Sequence, residues 1–98
     1  MPAMKPDEAE KRRLRGLAHA LKPCVLVGTA GVTEAVLHEL GVALDHHELL
    51  KVRIRVADRD ARDNAVIELV NRSGAQLISR VGNVAVLYRR NAAADAAG

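Results

Sequence analysis

Aromatic side chains are almost missing from this sequence: Tyr88 is the only one, with no Phe and no Trp. Modules that grip a ligand by stacking it on exposed rings are therefore disfavoured. Cysteine is equally scarce. With Cys24 alone an internal disulfide is impossible, and a cysteine-based zinc site is disfavoured. No apolar run approaches the ~18 residues that a membrane span needs. The stretch after Met1 is charged and helical in pattern, without the apolar core or small-residue cleavage site of a secretory signal. These absences lead to the expectation of a cytoplasmic protein that does not engage membranes.

Signatures of chemistry are missing too. There is no Walker loop and no dinucleotide fingerprint. His46-His47-Glu48 brings two adjacent imidazoles, but neighbours on a helix or strand point apart and do not converge on a metal. That tripeptide reads as a helix end or a polar surface. Cys24 sits in an apolar run and reads as core, with no Cys–His–Asp arrangement around it. Neither a catalytic site nor a cofactor is expected.

What is present is a chain of 98 residues, 49% of them hydrophobic, which suits one folded domain and is too apolar for a disordered chain. The formal net charge is only +3, yet its distribution is uneven. Between Lys22 and Lys51 there is no Lys or Arg, only Glu34, Glu39, Asp45 and Glu48. The cations gather in Lys11 to Lys22, Lys51 to Arg55 and Arg80 to Arg90. Such a map makes a local positive field from a modest total.

Periodicity orders the chain. From Asp7 to Leu21 the spacing predicts a helix, with Leu14, Leu17, Ala18 and Leu21 in one apolar arc. On that wheel Lys11, Arg15 and Lys22 fall nearly in line, beside Arg12 and His19. Acids lead and bases follow, as the helix dipole favours, and Pro23 is the stop. Cys24 to Val27 reads as a short buried strand. Thr33 is a plausible N-cap for a second helix that carries Val36, Leu37, Leu40, Ala43 and Leu44, and Gly41 within it suggests close packing.

Leu50 to Val56 alternates strictly, with Lys51, Arg53 and Arg55 on one face. Asp58-Arg59-Asp60 starts a third helix, with Ala65, Val66, Leu69 and Val70 as its stripe and Gly74 as its stop. Ala75 to Val81 and Val84 to Tyr88 are two strands joined by Gly82-Asn83. The order is αβαβαββ, an α/β fold with a four-stranded mixed sheet and three helices. Right-handed strand–helix–strand crossovers should give parallel neighbours, and the final hairpin one antiparallel pair. Positions 1–6 and 91–98 read as a flexible N-terminus and a disordered tail around a domain at 7–90.

One loop stands out. Gly28-Thr29-Ala30-Gly31 lies between a strand and a helix N-terminus, where glycines let the backbone approach a ligand and free N–H groups suit a phosphate. Alone, a GxxG is a plain turn. Its weight comes from Lys22 and the first-helix cations Arg12 and Arg15 upstream. The Lys51-Arg53-Arg55 face has two readings, the solvent side of a strand or a row of phosphate contacts at ~6–7 Å spacing. Arg80 and Arg90 read as solvated strand ends, and Arg89 is carried as a further candidate contact.

These residues resemble a known family. Leu14 to Pro23 (LRGLAHALKP), Val27 to Glu34 (VGTAGVTE), His46 to Val52 (HHELLKV) and Val86 to Arg89 (VLYR) look like the CRM domain, in its bacterial stand-alone, YhbY-like form. The similarity runs from about Lys11 to Arg90. It implies RNA binding without catalysis, a fold similar to the C-terminal domain of translation initiation factor 3, and a GxxG loop, here Gly28 and Gly31, that meets RNA with the basic surface around it. Bacterial members are associated with precursors of the large ribosomal subunit, and plant relatives with splicing of organellar group II introns. Thr29-Ala30 lacks the Lys that family loops often carry, and Asn83 stands where relatives often have a cation or hydroxyl.

The resulting expectation is a monomeric ribosome assembly factor on large-subunit precursor RNA, with ribosomal proteins as a second class of partner. The alternative is a protein-interaction module or RNA chaperone that docks on ribosomal proteins through the acidic helix from Thr33 to Asp45.

Overall fold

Seven elements follow the expected αβαβαββ order in a computed structural model that describes residues 6–90. They are α1 (Glu8–Ala18), β1 (Val25–Val27), α2 (Glu34–His46), β2 (Leu49–Ile54), α3 (Arg59–Ser73), β3 (Gln76–Val81) and β4 (Val84–Tyr88). The segments expected to be flexible lie outside the described residues, apart from Pro6. Each helix starts on an oxygen cap. Asp7 accepts from the Glu10 N–H at 2.8 Å, Thr33 from Val36 at 3.2 Å and Asp58 from Ala61 at 3.2 Å. Gly74 ends α3 at φ 76°, a left-handed conformation in which a side chain would be strained.

The sheet order is β1-β2-β4-β3. β1 and β2 are parallel neighbours joined through α2, as expected. β3 is not a neighbour of β2, because β4 inserts between them and makes two antiparallel pairs rather than one. Burial explains the insertion. Ala85, Val86 and Leu87 are buried consecutively, so β4 needs cover on both faces and takes a central place, while β3 exposes Leu77 and Val81 and takes the edge.

The two faces of the sheet are covered unequally. Val25, Val27, Leu50, Val52, Ile54, Ala85 and Leu87 meet Leu40 and Leu44 of α2 and Ala65, Val66 and Leu69 of α3 in the main core. On the outer face α1 buries only Leu14 and Ala18, against Ile78 and Val86, with Leu49 and Tyr88 beside them. A register shift between Leu77 and Ser79 leaves Ile78 unpaired in the ladder, and it joins this smaller cluster.

Three expectations change here. α1 ends at Ala18 rather than Leu21, where the His19 N–H closes back on the Gly16 carbonyl. Pro23 has no N–H, and its ring would clash with the His19 carbonyl of a continued helix, so the last turn never forms. Leu17 and Leu21 stay 53% and 37% exposed, and Lys22 leaves the line of Lys11 and Arg15. β1 is a three-residue edge strand covered on one face only, so Leu26 and Cys24 are exposed rather than core. At Gly41 a Cβ would meet nothing within 4 Å, so close packing is not the reason for that glycine.

Candidate nucleic-acid interface

β1 and β2 finish at the same end of the sheet, and the Gly28–Gly31 loop follows β1 there. The Gly31 N–H donates to the Gly28 carbonyl at 3.0 Å, and Gly31 adopts φ 80°, so the loop is a closed turn that needs a glycine at its last position. Thr29 and Ala30 are exposed at the tip, and a Cβ on Gly28 would meet nothing within 4 Å. The fold leaves Gly28 open to solvent. Thr33 then caps α2, whose positive dipole end points to the same place.

Register fixes what lies beside the loop. Leu26 pairs with Arg53 and Val27 with Ile54, and the Arg55 N–H donates to the Val27 carbonyl at 2.8 Å. Arg55 therefore stands across from Gly28, and Arg53 two residues back on the outer face. Lys51 lies on that face too, half-buried and opposite Val86. From α1, Arg15 and His19 overlook Lys51 and share a groove with it. Arg12 is exposed on the same flank of the helix. Lys22 is exposed but precedes β1, so the length of that strand separates it from the loop.

The cations divide into two sets. Arg72 pairs with Glu34 at 2.6 Å and Glu68 at 3.4 Å, and Arg80 with Asp63 at 2.5 Å. Lys11 and Arg13 pair within α1, with Glu8 and Glu10 respectively. The short contact with Arg13 holds the Glu10 carboxyl below its ordinary pKa. Among the described residues, Arg12, Arg15, Lys22, Lys51, Arg53, Arg55, Arg59 and Arg62 form no salt bridge.

Arg89, carried as a candidate contact, belongs to the first set. It donates to the Ser73 carbonyl at 2.8 Å, to the Gly41 carbonyl at 3.3 Å and to Asp45 at 2.9 Å. One guanidinium thus clasps the last turn of α3 and the C-terminal half of α2. Arg80, read as a solvated strand end, is likewise bound across to α3. The acidic helix loses two of its three carboxylates to the same effect, with Glu34 held by Arg72 and Asp45 by Arg89. An acidic docking surface on α2 is reduced to Glu39, beside Glu48 at its end.

Arg59 and Arg62 were not singled out by sequence reasoning. They line a cleft with Asp63, Arg80 and Gly82, and the Arg62 Nε is buried without a hydrogen-bond partner. A signal was available, because cations in the first turns of a helix oppose its dipole and so invite another explanation. Among the described residues no three His, Cys, Asp or Glu side chains group as metal ligands. No helix among them is long and apolar enough to cross a membrane. Burial pushes the Cys24 thiol above its ordinary pKa, which opposes a reactive thiolate.

Comparison with known proteins bears on all of this. A family model described as the CRS1 / YhbY (CRM) domain matches residues 7–89. The chain is 42% identical over 80 residues to an RNA-binding protein of Haemophilus influenzae, covering 82% of this chain and 81% of that one. It is 39% identical over 84 residues to a probable RNA-binding protein of Pseudomonas aeruginosa, covering 86% and 81%. The solution structure of SAV1595 from Staphylococcus aureus superposes with a TM-score of 0.77 at 27% identity, over 88% of this chain and 90% of that one.

Proposed function

The chain belongs to the CRS1/YhbY (CRM) domain family, and from that premise we propose that it binds RNA through the loop end of its outer face. The observation that carries the reading is the segregation of charge. Arg15, Lys51, Arg53 and Arg55 have no carboxylate partner and stand on or over one face, beside an open glycine turn. Gly28-Thr29-Ala30-Gly31 offers backbone N–H groups and close approach, and the neighbouring guanidinium and ammonium groups supply the charge that its uncharged tip lacks. Arg12 extends the patch along α1, and Lys22 adds to it from the far end of β1. Arg89 has no part in it.

Such a surface reads backbone and shape, so binding falls steeply with salt and shows modest sequence preference. The finer proposal is a ribosome assembly factor, acting as a monomer in the cytoplasm on precursor RNA of the large ribosomal subunit. It needs no cofactor and carries no catalytic role. Cosedimentation with large-subunit precursors at low salt tests it. The protein should travel with the precursor particles, and a variant with Lys22, Arg53 and Arg55 all changed to Glu should stay in the free fraction. Wild-type protein found only in the free fraction contradicts the assembly role. Unaltered cosedimentation of the triple variant contradicts the surface assigned here.

A further inference from the structure

The outer face of the sheet continues past the end of α1, and what it exposes there is apolar. Register sets Leu26, Arg53, Val84 and Val81 in one row across the four strands. At ~4.8 Å per strand the row is about 14 Å wide. Leu26 is 49% exposed and Val81 78%, so two aliphatic residues of this face stand in water. α1 ends at Ala18 and leaves both exposed.

Between that row and α1 runs a groove of about 390 Å³, within the range of sites for small organic groups. Ala18, Val81, Val84 and Val86 make its apolar part, and Ser79 adds a hydroxyl. Its rim holds Arg15, His19 and Lys51. Neither cation has a carboxylate partner among the described residues, so the rim is positive and uncompensated.

We propose that this groove accepts one unpaired nucleobase of the bound RNA, laid on Val81 and Val84, while Arg15 and Lys51 hold the phosphates on either side. The inference rests on the RNA-binding reading above and adds a base subsite to a surface otherwise confined to the backbone. Charge complementarity selects the occupant. An aliphatic peptide would leave Arg15 and Lys51 without partners, and a free phosphate would leave the valine floor wet, whereas a nucleotide satisfies both. His19 at the rim can stack on the exposed side of the base, and the Ser79 hydroxyl can bond its edge. With aliphatic residues in place of aromatic ones the gain falls at the low end of stacking energies, about fivefold in affinity.

The test compares a single-stranded oligoribonucleotide with an abasic oligomer of the same length and charge, at one salt concentration. Wild-type protein should bind the ordinary oligomer about fivefold more tightly. Val81→Asn, at a largely exposed position, should erode that preference and leave affinity for the abasic oligomer unchanged, and His19→Ala should erode it as well. Equal affinity of wild-type protein for both oligomers overturns the subsite and leaves the backbone reading standing. Failure to bind either oligomer overturns that reading and the subsite with it. Concentration-dependent dimerisation of the free protein that Val81→Asn abolishes assigns the groove to a second copy and also overturns the subsite.

Discussion

The face of the sheet under α2 and α3 and the face under α1 draw on the same residue types and use them oppositely. On the closed side three arginines hold elements together, with Arg72 tying α3 to α2, Arg80 tying β3 to α3 and Arg89 clasping both helices, while Arg59 and Arg62 of α3 form no salt bridge. On the half-open side Arg15, Lys51, Arg53 and Arg55 form no salt bridge, although Glu39 lines one cleft with Arg53 and Arg55. The acids are distributed to match, with Glu34, Asp45 and Asp63 all on the helices of the closed side. A net charge of +3 conceals this arrangement. Of the cations without a salt bridge, Arg15, Lys51, Arg53 and Arg55 gather where the sheet is uncovered, and Arg59 and Arg62 stand apart on α3.

Substitutions on the two sides should therefore fail differently. The largest effect is expected from Leu87→Ala, which opens a cavity at a fully buried position between the two large helices. It should lower stability by roughly 2–5 kcal/mol in denaturant unfolding. The corresponding truncation of Leu26 on the open face should change stability by no more than about 0.5 kcal/mol. Equal losses at the two positions would mean that the outer face is covered in solution.

Arg89→Met comes next. It leaves two backbone carbonyls and Asp45 without their donor, and unfolding should become easier by about 2 kcal/mol. RNA affinity measured under folding conditions should stay within about twofold, since the clasp lies away from the proposed surface. A loss of affinity without a loss of stability would return Arg89 to the interface.

The Gly loop separates the two kinds of glycine. Gly31→Ala places a side chain at φ 80° and should cost about 1–2 kcal/mol. Gly28→Ala meets open space and should leave stability within about 0.5 kcal/mol while weakening RNA binding, if the proposed phosphate contact lies at that turn. Thermal unfolding of the pair, read beside their affinities, distinguishes a conformational need from one imposed by the ligand.

The smallest effect concerns Cys24. Its thiol is exposed enough for reagents, but partial burial raises its pKa and so lowers the thiolate fraction near neutrality. Alkylation at pH 7.5 should be slower than that of free cysteine and should accelerate as pH rises. Reaction faster than free cysteine would point to a positive field at the β1 edge stronger than the surrounding cations supply.

Much of the fold was legible because its signals are local. Thr33, Asp58 and Gly74 mark helix ends through bonds that span three or four residues, and the strict alternation from Leu50 gave a strand with one cationic face. The failures were of longer range. Nothing within the hairpin states that β4 will enter between β2 and β3, although the run from Val84 to Leu87 is that of a strand covered on both sides. Arg89 reaches Asp45 across 44 residues and Arg72 reaches Glu34 across 38, so the contacts that tie elements together are not read in a local sequence window. Those contacts set the geometry of the candidate site. The Gly28–Gly31 turn, Arg53 and Arg55 are brought together, Lys22 is set apart by the length of β1, and Arg89 is withdrawn into the framework.

On the proposed reading, the unpaired cations of the outer face neutralise RNA phosphates. The most direct measurement is the salt dependence of affinity for a single-stranded oligoribonucleotide, for wild-type protein and for the Arg53→Gln/Arg55→Gln double variant. Two lost phosphate contacts should reduce the slope of log affinity against log salt by about 1.4, with unfolding unchanged. An unaltered slope in the double variant would contradict the claim.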